Sequence, residues 1–150
     1  MNCAVIVHAL FDGMEIDFSG PLRDEAYMIL AGLVTPRPIA LVTTIDEHGR
    51  INAAPFSFFN VLGDSPPIVG FCPGDRSAGV PKDTARNIRL THEFVVNLVD
   101  ESIAAQMNAC AAPLPHGENE LAHARLSSVP SVNIKPPRIA EAPASLECKH

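Results

Sequence analysis

Two short stretches carry the residue types and spacing that could do chemistry. "KDTARNI" (Lys82 to Ile88) places a cation, a carboxylate and a hydroxyl, Lys82, Asp83 and Thr84, where a helix would begin. A phosphate is held by free backbone N–H groups at a helix start with a cation beside them, so this segment is a candidate phosphate site. The same residues also fit a plainer arrangement in which Asp83 caps the helix and Lys82 is solvated. "INAAPFSFF" (Ile51 to Phe59) reads as an interrupted strand. The small side chains of Ala53 and Ala54 let a flat ring approach the backbone, and Pro55 is expected to remove one ladder donor and bend the strand. Thr43 and Thr44 on a neighbouring strand, with Asn52 and Ser57, then supply hydrogen-bonding groups for the polar edge of such a ring. Core packing around a β-bulge accounts for the same residues. Phe56, Phe58 and Phe59 read as core or subunit-interface residues rather than as a stacking platform.

Other chemical signatures are absent. His92-Glu93 begins like H-E-x-x-H, but position 96 is Val, so no metalloprotease helix is encoded. Ser77 lacks the preceding glycine of a nucleophile elbow, because Asp75 stands there. No G-x-G-x-x-G or P-loop occurs. The six histidines are spread too widely to propose a metal site. Cys3, Cys72, Cys110 and Cys148 form no C-x-x-C and read as idle thiols of a reducing compartment.

The elements that must position these residues follow from pattern. An amphipathic helix is expected over Arg23 to Leu33, ended by "TPRP" (Thr35 to Pro38). "IALVTT" (Ile39 to Thr44) is β-branched and alternating, hence a strand. "DEHGR" turns the chain with Gly49 left-handed, and Ile51 to Phe59 returns as its hairpin partner. "PPIVGFC" (Pro66 to Cys72) and "EFVVNLV" (Glu93 to Val99) read as further strands, and a small helix capped by Asp100 or Ser102 runs to about Ala109. The Pro-rich stretch from there to Pro137 is too long for a passive turn. "RIAEAPASLECKH" reads as the start of another strand pair. Several short strands with brief helices indicate a small β-barrel with α elements, mainly β in the α+β sense, rather than a βαβ sheet.

Length and charge bound the partners. At 150 residues and 47% hydrophobic content the chain suits one domain with a sizeable core. A formal charge of −6 argues against a nucleic-acid surface or a polybasic membrane patch. The opening "MNCAVIVHALFDG" lacks a basic segment and a cleavage site, and no run reaches membrane-spanning length, so a cytoplasmic protein is expected.

Taken together, "GLVTPRPIALVTTIDEHGRINAAPFSFFNVLGDSPPIVGF", "KDTARNIRLTHEFVVNLV" and "PPRIAEAPASLEC" resemble the flavin reductase-like, FMN-binding split-barrel family, which includes flavoredoxins and the reductase components of two-component monooxygenases. The resemblance runs from about Tyr27 to Cys148. It implies a homodimer of split β-barrels with FMN in a groove at or near the subunit interface. Carried over by motif, Thr43 and Thr44 face the ring. Asn52, Ala53, Ala54, Pro55, Phe56 and Ser57 form its edge, and Lys82, Asp83 and Thr84 contact the phosphate. Arg37 lies beside these motifs without an assigned role. Residues 1–13 have no counterpart and are expected to be an extension, with the domain over 14–150. Relatives continue past "LEC", so the barrel is expected to be incomplete at its C-terminal end.

What the resemblance implies for function is an NAD(P)H-dependent flavin reductase, partnered with a monooxygenase or another electron-acceptor protein. The alternatives are a non-enzymatic FMN-binding electron carrier of flavoredoxin type and an inactive fragment. FMN is preferred over FAD because the phosphate segment is compact. Hydride transfer to a flavin requires no protein acid or base, so no catalytic residue is named.

Overall fold

The computed structural model describes residues 6–8, 15–77, 79–115 and 117–150, with side chains from residue 16 onward. The extension expected over 1–13 lies, apart from 6–8, outside the described residues. Two compact units divide the chain, Met1–Arg37 and Pro38–His150.

In the first unit, β1 (Ile6–His8) and β2 (Glu15–Asp17) pair antiparallel. Helix α1 (Ala26–Leu33) follows a run of turns. The expected amphipathic helix is shorter than anticipated, because the polar residues Arg23 to Glu25 lie in the turns before it. "AYMILAGL" keeps no polar face, and none of its residues is buried. The Arg37 guanidinium donates to the carbonyls of Ala31 and Val34, satisfying acceptors at the helix end.

The second unit is built on a four-stranded antiparallel sheet. Its strands are β3 (Ala40–Ile45), β4 (Ile51–Phe56), β9 (Glu93–Leu98) and β12 (Ser145–Lys149), in the order β12-β9-β3-β4. Gly49 at φ 77° makes the expected left-handed turn between β3 and β4, and Asp46 organises it. The Asp46 carboxylate accepts from the backbone N–H groups of His48 and Arg50 at 2.9 Å each and from Arg50 Nε at 2.6 Å. Burial works against its charge, but these bonds prevail and hold its pKa down at about 2.

β3 and β4 pair without a register shift, so no bulge interrupts them. The run expected to continue to Phe59 breaks at Ser57 and Phe58. β5 (Phe59–Asp64) then leaves to pair with β6 (Pro67–Phe71). Pro55 removes no ladder bond. The Ala53 N–H points away from β3, to a side chain described below, and with a period of two the Pro55 nitrogen points the same way on this edge strand.

β7 (Asp75–Ser77) and β8 (Val80–Pro81) form a small pair before helix α2 (Asp83–Thr91). A 3-10 turn (Glu101–Ile103) capped by Asp100 leads into α3 (Ala104–Ala109). The Pro-rich stretch contains α4 (Glu120–Ala124), capped by the Asn119 side chain, and β10 (Ser128–Val129). The two strands expected near the end exist but do not pair with each other. β11 (Arg138–Ile139) joins β10, and β12 joins β9, because both earlier strands offer free edges.

Strand alternation gives the sheet two apolar faces. Leu41 and Ala53 pack with Ile103, Leu121, Ala124, Leu126 and Ile139 on one side. Ala40, Val42, Phe56, Phe59, Ile88, Phe94 and Val96 pack on the other. Phe56 and Phe59 thus take the core role expected of them. The fold is mainly β with short helices, as expected, and among the described residues no sheet closes into a full barrel.

Candidate functional site

The open edge of β4, the start of α2 and the segment after α3 border one cleft of about 320 Å³. β4 contributes Asn52, Ala54, Pro55 and Phe56, and α2 with its preceding residue contributes Lys82, Asp83 and Thr84. The structure therefore brings together most of the residues read from the two motifs. β3 pairs with β4, and α2 packs on both strands, which fixes this approach of segments distant in sequence.

Lys82 is the N-cap residue of α2, one position earlier than expected, and Asp83 begins the helix. The correction has a physical basis: the backbone at Lys82 is extended, with ψ 156°, whereas the Asp83 carboxylate turns to Arg76 Nη2 at 3.2 Å. The Lys82 side chain makes no capping bond, and the N–H end of a helix is suited to an anion. Lys82 Nζ lies 5.6 Å from the centroid of the Phe56 ring, so the cation and a flat apolar surface are adjacent. Thr84 is 1% exposed, and its Oγ1 accepts from Asn52 Nδ2 at 3.0 Å, tying the helix start to the strand edge.

Four predicted site residues do not line the cleft. Thr43 and Thr44 are fully buried and, as neighbours on a strand, project to opposite faces. Thr43 Oγ1 donates to Pro137 O at 2.5 Å and accepts from Asn97 Nδ2 at 3.2 Å. Thr44 Oγ1 accepts from Asn87 Nδ2 at 3.1 Å. Ala53 is buried in the core, and Ser57 sits at the bend after β4.

Motif reading missed the far wall of the cleft, made by Arg76, Cys110 to Leu114 and Glu120. Glu120 Oε2 accepts the outward N–H of Ala53 at 3.0 Å. Burial raises the Glu120 pKa, and the Asp83 charge adds to that, while the Ala53 hydrogen bond and Arg76 oppose it. Burial, reinforced by Glu120, pushes the Cys110 thiol up to about 11, so it is a poor nucleophile at neutral pH. The signal for this wall was only the length of the irregular stretch after Ala109. Among the described residues no group of His, Cys, Asp and Glu could hold a metal ion, and no helix is long and apolar enough to cross a membrane.

The donor set combines two cations, a helix start and a strand edge beside an aromatic ring, which suits a ligand with a phosphate at one end and a flat ring at the other. Solved structures with the same fold place it among the split-barrel flavin reductases. Nitrilotriacetate monooxygenase component B from Bacillus cereus superposes with a TM-score of 0.85 at 38% identity, covering 91% of this chain and 67% of that one. A 2-nitrobenzoate 2-nitroreductase from Pseudomonas fluorescens gives 0.78 at 40% identity, covering 91% and 64%. The chain belongs to the flavin reductase like domain family, which it matches over residues 32–150. An uncharacterised protein of Halalkalibacterium halodurans is 49% identical over 136 residues, and the chain spans 65% of that relative's length.

Proposed function

We propose that this chain binds FMN in the cleft between β4 and α2 and acts as an NAD(P)H-dependent flavin reductase. The observation that carries the reading is the convergence of Asn52 and Ala54 to Phe56 with Lys82 to Thr84 on one cleft. Lys82, Arg76 and the first-turn N–H groups of α2 would hold the phosphate. The edge of β4, where Ala54 and Pro55 are small and flat, would admit the ring. FMN suits this site better than FAD because the cations and the helix start serve a single phosphate group.

Bound flavin would supply the redox chemistry, as acceptor of a hydride from a nicotinamide. The protein's share is orientation and exclusion of water from one side of the ring, for which an open cleft against a rigid sheet is suited. No cleft residue is assigned as an acid or base, since hydride transfer needs none. The expected assembly is a homodimer, and the expected electron acceptor is a monooxygenase, by analogy with the Bacillus cereus component B.

The test is a titration of the purified chain with FMN, followed by quenching of flavin fluorescence. Saturable quenching that weakens about tenfold in Lys82→Ala supports the site. Oxidation of NADH or NADPH that depends on added FMN then supports the activity, whereas tight FMN retention without turnover would assign an electron carrier. Absence of quenching by folded protein overturns the reading.

A further inference from the structure

The phosphate end of the cleft is rich in donors, yet the rest of a flavin must be recognised as well, and Glu120 is a charged acceptor placed for that task. Lys82 and Arg76 can only donate hydrogen bonds. The Asn52 amide N–H is engaged with Thr84. Of the three carboxylates lining the cleft, Asp83 is paired with Arg76, and Asp75 is exposed on β7. Glu120 is half-buried and anchored: Oε2 is fixed by the Ala53 N–H at 3.0 Å. A carboxylate has about four lone-pair positions over its two oxygens. The bond to Ala53 and one to the residue's own N–H leave acceptor capacity at a fixed place on the cleft wall.

An oxidised isoalloxazine ring carries one N–H, at the imide nitrogen N3, and otherwise presents acceptors along its polar edge. Resting on the FMN reading above, we propose that Glu120 accepts the imide N–H of the ring and thereby selects flavins with an unsubstituted N3. The β4 edge and Glu120 then form a single recognition unit. The Ala53 N–H holds the carboxylate in place, and the carboxylate holds the ring beside Ala54 and Pro55. A charged acceptor makes a stronger bond than a neutral one, and leaving it unpaired in a partly dry cleft is costly, so the discrimination should be large.

The experiment compares dissociation constants for FMN and for 3-methyl-FMN, in which a methyl group replaces the imide hydrogen. Wild-type protein is expected to bind FMN about tenfold or more tightly than the methylated form. Glu120→Met keeps the length of the side chain and removes the acceptor, and its preference is expected to fall towards about onefold as FMN affinity drops. Lys82→Ala should weaken both ligands alike and keep the wild-type preference. A preference retained in folded Glu120→Met overturns the inference while FMN binding itself still stands. Failure of wild-type protein to bind FMN overturns the flavin reading and this inference with it. Should Glu120→Met not fold, Glu120→Gln replaces it, with the preference expected to fall at least about threefold and an unchanged preference overturning the inference.

Discussion

Asn97 and Glu120 are polar side chains withdrawn from water beside the same sheet, and their hydrogen bonds are completed in different ways. Asn97, on β9, donates through Nδ2 to Leu41 O at 3.0 Å and Thr43 Oγ1 at 3.2 Å. Its Oδ1 accepts from Ile139 N at 2.9 Å and Ser145 Oγ at 2.8 Å. Both donors and both lone pairs of the amide are used. One side chain thereby ties β3, β9, β11 and β12 in register. Glu120 is fixed at one oxygen and retains capacity at the cleft wall. A polar group whose partners all come from the protein specifies the fold; one left with capacity at a cavity wall is available to a ligand.

The contrast can be broken at its closed side first. Asn97→Ala should cost about 3 kcal/mol or more, because Ile139 N–H and Leu41 C=O lose a buried partner. Urea denaturation measures this, and a cost below about 1 kcal/mol would remove the distinction. Asp46 belongs to the same closed class. Its pKa is about 2 against an ordinary 3.8, so its stabilisation is complete above that ordinary value and is lost as pH falls through the lower one. Wild type should therefore exceed Asp46→Asn in stability near neutral pH, with the gap closing between those two values in acid-denaturation curves.

On the open side the expected changes in stability are smaller and those in binding larger. Lys82→Ala should raise the FMN dissociation constant about tenfold, or about 1.4 kcal/mol, with folding stability within about 0.5 kcal/mol of wild type. Equal losses in both measurements would place Lys82 in the closed class. Glu120→Gln in ligand-free protein should raise stability slightly at neutral pH, since burial disfavours the ionised form. The sign follows from the raised pKa: wild type gains as pH falls and Glu120 takes up a proton in the fold, so the difference narrows towards acid pH. Thermal melts at several pH values would show it.

Much of this arrangement was legible where the physics is local. β3 and β9 follow from β-branched runs, the Gly49 turn from its left-handed backbone, and α2 from the residues that open it. The cation and hydroxyl of the α2 start were readable for the same reason. The roles of Thr43 and Thr44 were not separable by type, although strand alternation already requires adjacent residues to face opposite sides. The wall bearing Glu120 was illegible because its partner Ala53 is 67 positions away, and Glu120 itself belongs to none of the motifs. Likewise, β11 and β12 were visible as strands, but their choice of partners depends on which edges β9 and β10 leave open.

The outer margin of β4 has a further consequence for the chain when no ligand is present. A bare strand edge is a template on which another chain can add a strand and grow an aggregate. Here Pro55 has no N–H to offer in the outward direction, and the neighbouring outward N–H, that of Ala53, is taken by Glu120. An incoming strand would meet a missing donor and an occupied one two residues apart. The groups that frame the cleft thus also protect the empty protein from polymerising through it, and Glu120→Met should make the ligand-free chain more prone to aggregate on storage than Lys82→Ala does.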